Sequence, residues 1–109
     1  MYEQTSLGHL DYSGRFLPKS LAKEEISKID KNIKGIVVVY NLNESTTPPD
    51  MIAVKVVGGN IVDKLTRLLN DECVRLYLPN FFGYRPYKDG EENSNIIDEV
   101  TLELNAKCK

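Results

Sequence analysis

The chain has 109 residues, enough for one domain spanning 1–109 and enough to bury a core without disulfides or metal. Hydrophobic residues make up 41% and charged residues 28%, a globular balance that excludes a mainly disordered chain. The net charge is −2, so no global field draws the protein to nucleic acid or to an anionic membrane, and no apolar run approaches the roughly 20 residues that span a bilayer.

The opening residues, Met1-Tyr2-Glu3-Gln4-Thr5, lack the basic head and apolar core of a secretory leader, so the expected location is the cytoplasm. There, Cys73 and Cys108 read as two free thiols. Together with the single His9 they do not supply a zinc-ligand set, and no metal or other cofactor is expected. Asn43-Glu44-Ser45 matches a glycosylation sequon, which a cytoplasmic location leaves unused.

In chain order, a short strand is expected over residues 6–12, followed by a turn at Ser13-Gly14. Pro18 holds Leu17 extended. A helix is expected over residues 20–32, with Ser20 as its N-cap and Ala22, Ile26, Ile29 and Ile33 on one face. Ile36-Val37-Val38-Val39-Tyr40 opens the most apolar strand, running to Leu42, and its two apolar faces suit a covered position. A polar loop with Pro48-Pro49 leads to a second strand over residues 51–57, with Ile52, Val54 and Val56 assigned to one face. The two strands form a long-looped antiparallel hairpin.

After Gly58-Gly59, Asn60 caps a helix over residues 61–70. Its apolar stripe is Ile61, Val62, Leu65, Leu68 and Leu69, and Asp63 and Arg67 pair across one turn of its wet side. Asp71-Glu72 reads as the end of that helix. Val74, Leu76 and Leu78 alternate in what reads as a third strand over residues 73–78. Residues 79–94 read as a long loop, and Val100, Leu102 and Leu104 alternate in a last strand over residues 96–104.

The expected fold is an α+β two-layer sandwich: an antiparallel or mixed sheet of four or five strands with two helices mainly on one face. The first six elements follow the order of a ferredoxin-like split βαβ unit. That arrangement would put the second strand at an edge, and an edge so apolar needs a cover.

Three constellations bear on function. The Gly58-Gly59-Asn60 junction is a weak anion-site candidate, because helix N-terminal amides hold anions, but it lacks a Walker lysine and a dinucleotide fingerprint. Its plainer reading is a tight turn feeding a capped helix. Phe81, Phe82, Tyr84, Arg85, Tyr87 and Lys88 form an aromatic–basic set in the expected loop. Such a set suits a protein interface, stacking on single-stranded nucleic acid, or aromatics folded back to cap the core. The acidic Asp89, Glu91 and Glu92 that follow weigh against phosphate.

Third, charge is unevenly placed. Six basic residues face three acidic ones between Arg15 and Lys34, and six acidic residues stand with no basic one between Asp89 and Glu103. This suits solvated faces, or a two-signed surface that helps docking. No catalytic set is visible: His9 has no carboxylate placed to orient it, and the paired glutamates fall in exposed segments. The expectation is a non-enzymatic protein-binding or assembly module, self-associating as a homodimer through the apolar strand Ile36–Val39 or a neighbouring sheet edge. The alternative is a single-strand nucleic-acid binder that uses residues 80–88.

Overall fold

The structure, a computed structural model, describes residue 10 and residues 12–48 and 50–108. The described residues form β1 (Tyr12–Arg15), α1 (Lys19–Ser27), β2 (Lys34–Asn43), β3 (Asp50–Asn60), α2 (Ile61–Leu68), α3 (Glu72–Tyr77), β4 (Phe81–Pro86), a 3-10 turn (Glu91–Asn93) and α4 (Ile96–Leu104). The fold is α+β, built on one four-stranded sheet in the order β1-β4-β2-β3. Every neighbouring pair of strands is antiparallel.

The apolar strand decides the architecture. β2 lies between β4 and β3, and Ile36, Val37, Val38 and Val39 have no exposed surface. Alternation sends Val37 and Val39 to one face, where they pack with Ala22 and Ile26 of α1, Ile61, Leu65 and Leu68 of α2, and Val74 of α3. It sends Ile36, Val38 and Tyr40 to the other face, against Ile96 and Val100 of α4. Each buried Val or Ile contributes about 1.5–3 kcal/mol, so two-sided cover makes this strand the centre of stability. The cover comes from the chain itself. Self-association through this strand therefore has no surface to use, and the ferredoxin-like arrangement, with its second strand at an edge, is not formed.

The β2–β3 hairpin forms as the sequence predicts, in register from Lys34↔Asn60 to Asn43↔Asp50. A bulge shifts the pairing from Val39↔Lys55 to Tyr40↔Ala53. The extra residue reverses the alternation, so Val54 joins the α1–α2 face while Ala53 and Val56 join the α4 face. Ile52, Val54 and Val56 therefore do not share one face.

α2 also forms as expected: the Asn60 side chain accepts a bond from the Asp63 amide at 3.0 Å, and Asp63 meets Arg67 at 3.0 Å. α1 is shorter than expected. It starts at Lys19 over the Pro18 carbonyl, which accepts from the Leu21 and Ala22 amides, so Ser20 lies inside the helix and not at its cap.

Four expectations for the flanking segments give way. Ser13-Gly14 belongs to β1, paired with Gly83 and Phe82. Residues 6–9 and 11, with His9, lie outside the described residues. Residues 73–78 are helical, because the Asp71 side chain accepts from the Val74 amide at 3.0 Å and so starts α3 instead of ending α2. Residues 81–86 are a strand inserted between β1 and β2, not a loop. Residues 96–104 are helical, with Ile96 and Val100 one turn apart on the buried side, and they cover the second face of the sheet. The helices thus occupy both faces, where the sequence led to two helices on one.

The two cysteines are bonded to each other. Beyond α4 the Lys107 and Cys108 amides donate to the Ala53 and Val54 carbonyls, which lays the chain end along the outer edge of β3. Cys108 is then in reach of Cys73 on α3, with Cα atoms 6.0 Å apart. The free-thiol expectation fails because a separation of 35 residues in sequence carries no information about this proximity.

Candidate functional site

The aromatic–basic set does not form one surface. Period-2 alternation along β4 sends Phe82 and Tyr84 to the α1–α2 face and Phe81 to the α4 face. Phe82 is fully buried, with edge contact to Phe16, and Tyr84 lies against Tyr12 at 5.5 Å between ring centroids. Phe81 stacks on Tyr40 at 5.9 Å, with the Arg15 guanidinium 4.8 Å from its centroid. Tyr87 packs in the α4 layer. Lys88 is exposed.

Arg85 is 3% exposed and forks onto Glu91, its Nη1 and Nη2 donating to the two carboxylate oxygens at 2.7 and 2.9 Å. Glu91 also accepts from the Lys88 amide at 2.8 Å. The Arg85 bond, then that amide, hold its carboxyl below the usual range, against an opposing push from burial. This clasp fixes the turn between β4 and α4.

The glycine junction is also structural in construction. The Asn60 side chain is engaged at both ends, accepting from Asp63 and donating to the Lys31 carbonyl at 2.7 Å. A Cβ on Gly58 would meet the Tyr87 hydroxyl and the Ile97 side chain, which would have to shift to admit it. Gly59 has φ +137°, a conformation that side chains resist.

An apolar concave surface lies elsewhere, between the chain entering α1, the end of α2, and α3. It is a groove of about 700 Å3. Phe16, Leu17, Leu68, Leu69, Val74 and Pro79 line it, Lys19, Glu72 and Arg75 stand at its polar margin, and Leu76 of α3 and Leu78 just after that helix also contribute. Leu76 is 80% exposed, Leu78 61% and the adjoining Tyr77 44%. Consecutive large apolar side chains so exposed gain little from the fold of this chain alone.

α3 is short but firmly anchored. Asp71 caps it and bonds Lys55 at 2.8 Å, a pair about three-quarters buried. The Lys55 bond, followed by the Val74 amide, lowers the Asp71 pKa. Cys73 is tied to Cys108, and the Asn41 side-chain amide donates to the Tyr77 carbonyl at 2.9 Å. Asn80 bonds the Leu42 backbone twice, through its carbonyl and its amide, fixing the segment that follows. Leu78 ends the helix in the left-handed region, φ 48°, ψ 59°, where glycine or asparagine is the usual residue.

Sequence reading missed the groove because it treated α3 as a strand. The available signal was Asp71, three residues ahead of Val74, read as a helix start instead of a helix stop. Among the described residues no group of three or more His, Cys, Asp or Glu is placed to hold a metal ion, and no helix is long and apolar enough to cross a membrane. Comparison with protein-family models, with curated proteins and with solved structures finds no match to this chain.

Proposed function

We propose that this chain is a non-enzymatic assembly module whose groove beside α3 receives the outer side of α4 from a second copy. The observation that carries this reading is the run Leu76-Tyr77-Leu78, held out to solvent on an anchored helix at the edge of an apolar groove. Charge complementarity supports the occupant. Lys19 and Arg75 outnumber Glu72 at the groove margin, and Lys23 stands one turn further along α1. The outer side of α4 carries exposed Asp98, Glu99 and Glu103 around Leu102, which is 72% exposed. Groove and α4 lie on opposite faces of the sheet, so the contact joins unlike surfaces and propagates head to tail.

Two single variants test this in the unmodified, disulfide-bonded chain. Sedimentation of the wild type is expected to show assemblies that grow with concentration and shrink with salt. Leu76→Asp and Leu102→Asp each remove one mating surface and are expected to leave a monomer with unchanged melting temperature, since both side chains are exposed. Each loses burial of about 2 kcal/mol, a roughly thirtyfold weakening. Mixed in equal amounts, they retain one intact groove and one intact α4 and should form a 1:1 dimer that grows no further. A wild type that stays monomeric at high micromolar concentration overturns the reading.

The Cys73–Cys108 bridge supports an oxidising compartment over the cytoplasm. We do not favour the nucleic-acid alternative, because burial of Phe82 and Arg85 and the splitting of Phe81 from Tyr84 leave no continuous stacking surface.

A further inference from the structure

We propose that Asn43 is a site of N-linked glycosylation. Asn43-Glu44-Ser45 is the one Asn-X-Ser/Thr sequence in the chain, and the middle residue is not proline. A sequon has consequence only where the chain meets the transfer machinery and where the fold leaves room for a glycan. Two independent observations meet these conditions. The disulfide supports an oxidising compartment, and a secretory route that supplies one also carries out oligosaccharide transfer. The fold puts the sequon at a hairpin tip: Asn43 is the last residue of β2, and it and residues 44–48 are all exposed.

The tip is ordered without using the sequon for packing. The Asn43 side-chain oxygen accepts from the Ser45 amide at 3.0 Å, an Asx turn. Thr46 donates to the Asn43 carbonyl at 3.1 Å and accepts from the Asp50 amide at 2.8 Å, so Thr46, and not Ser45, closes the loop. Ordering by Asn43 Oδ1 leaves its Nδ2 as the atom for modification.

In the transfer, Nδ2 attacks the anomeric carbon of the first sugar of a lipid-linked oligosaccharide diphosphate. The new C–N bond forms as the sugar–phosphate C–O bond breaks. The lipid diphosphate leaves with the bond electrons, one amide proton passes to a base of the transferase, and no redox change occurs. The product side chain keeps its Oδ1 acceptor, so the Asx turn survives. Because Asn41, two residues earlier, reaches the Tyr77 carbonyl, the glycan would stand near the end of the groove. The assembly test is therefore made on unglycosylated chain, and its outcome is independent of this one.

The test is peptide mapping of the protein from its natural source and from a eukaryotic cell that secretes it. Trypsin releases residues 35–55 as one peptide. The expected result is a sugar mass on that peptide in both samples, and enzymatic removal of the glycan that leaves Asp at position 43. Asn43→Gln and Ser45→Ala are expected to lose the modification completely, and Ser45→Thr to keep it. Recovery of peptide 35–55 only in unmodified form from either source, or a sugar mass that persists in Asn43→Gln, overturns the proposal.

Discussion

At the scale of single residues, Leu78 sets a local preference against a surface. A non-glycine residue in the left-handed region costs about 1 kcal/mol, and an exposed leucine recovers little of that by burial. Leu78→Gly is therefore expected to raise stability by about 1 kcal/mol, partly offset by the greater freedom of glycine in the unfolded chain. The same change should weaken assembly, because the side chain at the groove is lost. Urea midpoints and sedimentation on one pair of proteins check both signs together.

Glu91 is the opposite case, a residue whose charge the fold requires. Its partner Arg85 is buried, so Glu91→Gln removes the carboxylate onto which both guanidinium nitrogens fork and is expected to cost about 3 kcal/mol. The pH dependence has a definite sign. The folded-state pKa of Glu91 lies below its unfolded value, so its contribution is full above the unfolded value and is lost as pH falls through the folded one. Asp71, held down by Lys55, acts in the same direction. The difference between wild type and Glu91→Gln in urea midpoint should be constant at neutral pH and shrink below about pH 4.

At the scale of elements, the disulfide joins two pieces that secondary structure alone would leave loose. α3 is only six residues long, and the chain end has two backbone bonds to the β3 edge. A bridge closing a loop of this size contributes roughly 3–4 kcal/mol in the chain-entropy account. Replacing both cysteines by alanine is expected to lower stability by that amount in urea titrations. It should also raise hydrogen exchange first in α3 and at the β3 edge, while the β2 amides keep their protection. Loss of protection spread evenly over the sheet would show that the bridge is not a local clamp.

At the scale of the whole molecule, the central position of β2 explains why helices are needed on both faces of the sheet. A strand apolar on both sides needs cover on both sides, and α1 and α2 reach only one. α4 supplies the other, and in doing so turns an acidic side with Leu102 outward. The groove arises on the far face because α3 is short, with Leu76 in its last turn and Leu78 at its cap both left exposed beside the core. The two mating surfaces of the proposed assembly are thus both by-products of covering one strand.

The sequence by itself determined the α+β class, the β2–β3 hairpin and the capped α2, because each rests on local signals: an unbroken apolar run, a polar turn, and an Asn60 cap three residues before Asp63. It also called for β2 to be covered. Only the tertiary structure decided what covers it. Val74, Leu76 and Leu78, and likewise Val100, Leu102 and Leu104, alternate as a strand does, yet both segments also admit helical spacing, and local pattern does not separate the two. What separates them is non-local. The Asp71 cap is reinforced by Lys55 from β3, and the bare face of β2 draws Ile96 and Val100 onto it as one helical stripe. β4 was hidden for the same reason: Phe81 to Pro86 becomes a strand only because β1 and β2 stand on either side of it. The disulfide and the groove depend on those placements in turn, so neither could be read from the order of residues alone.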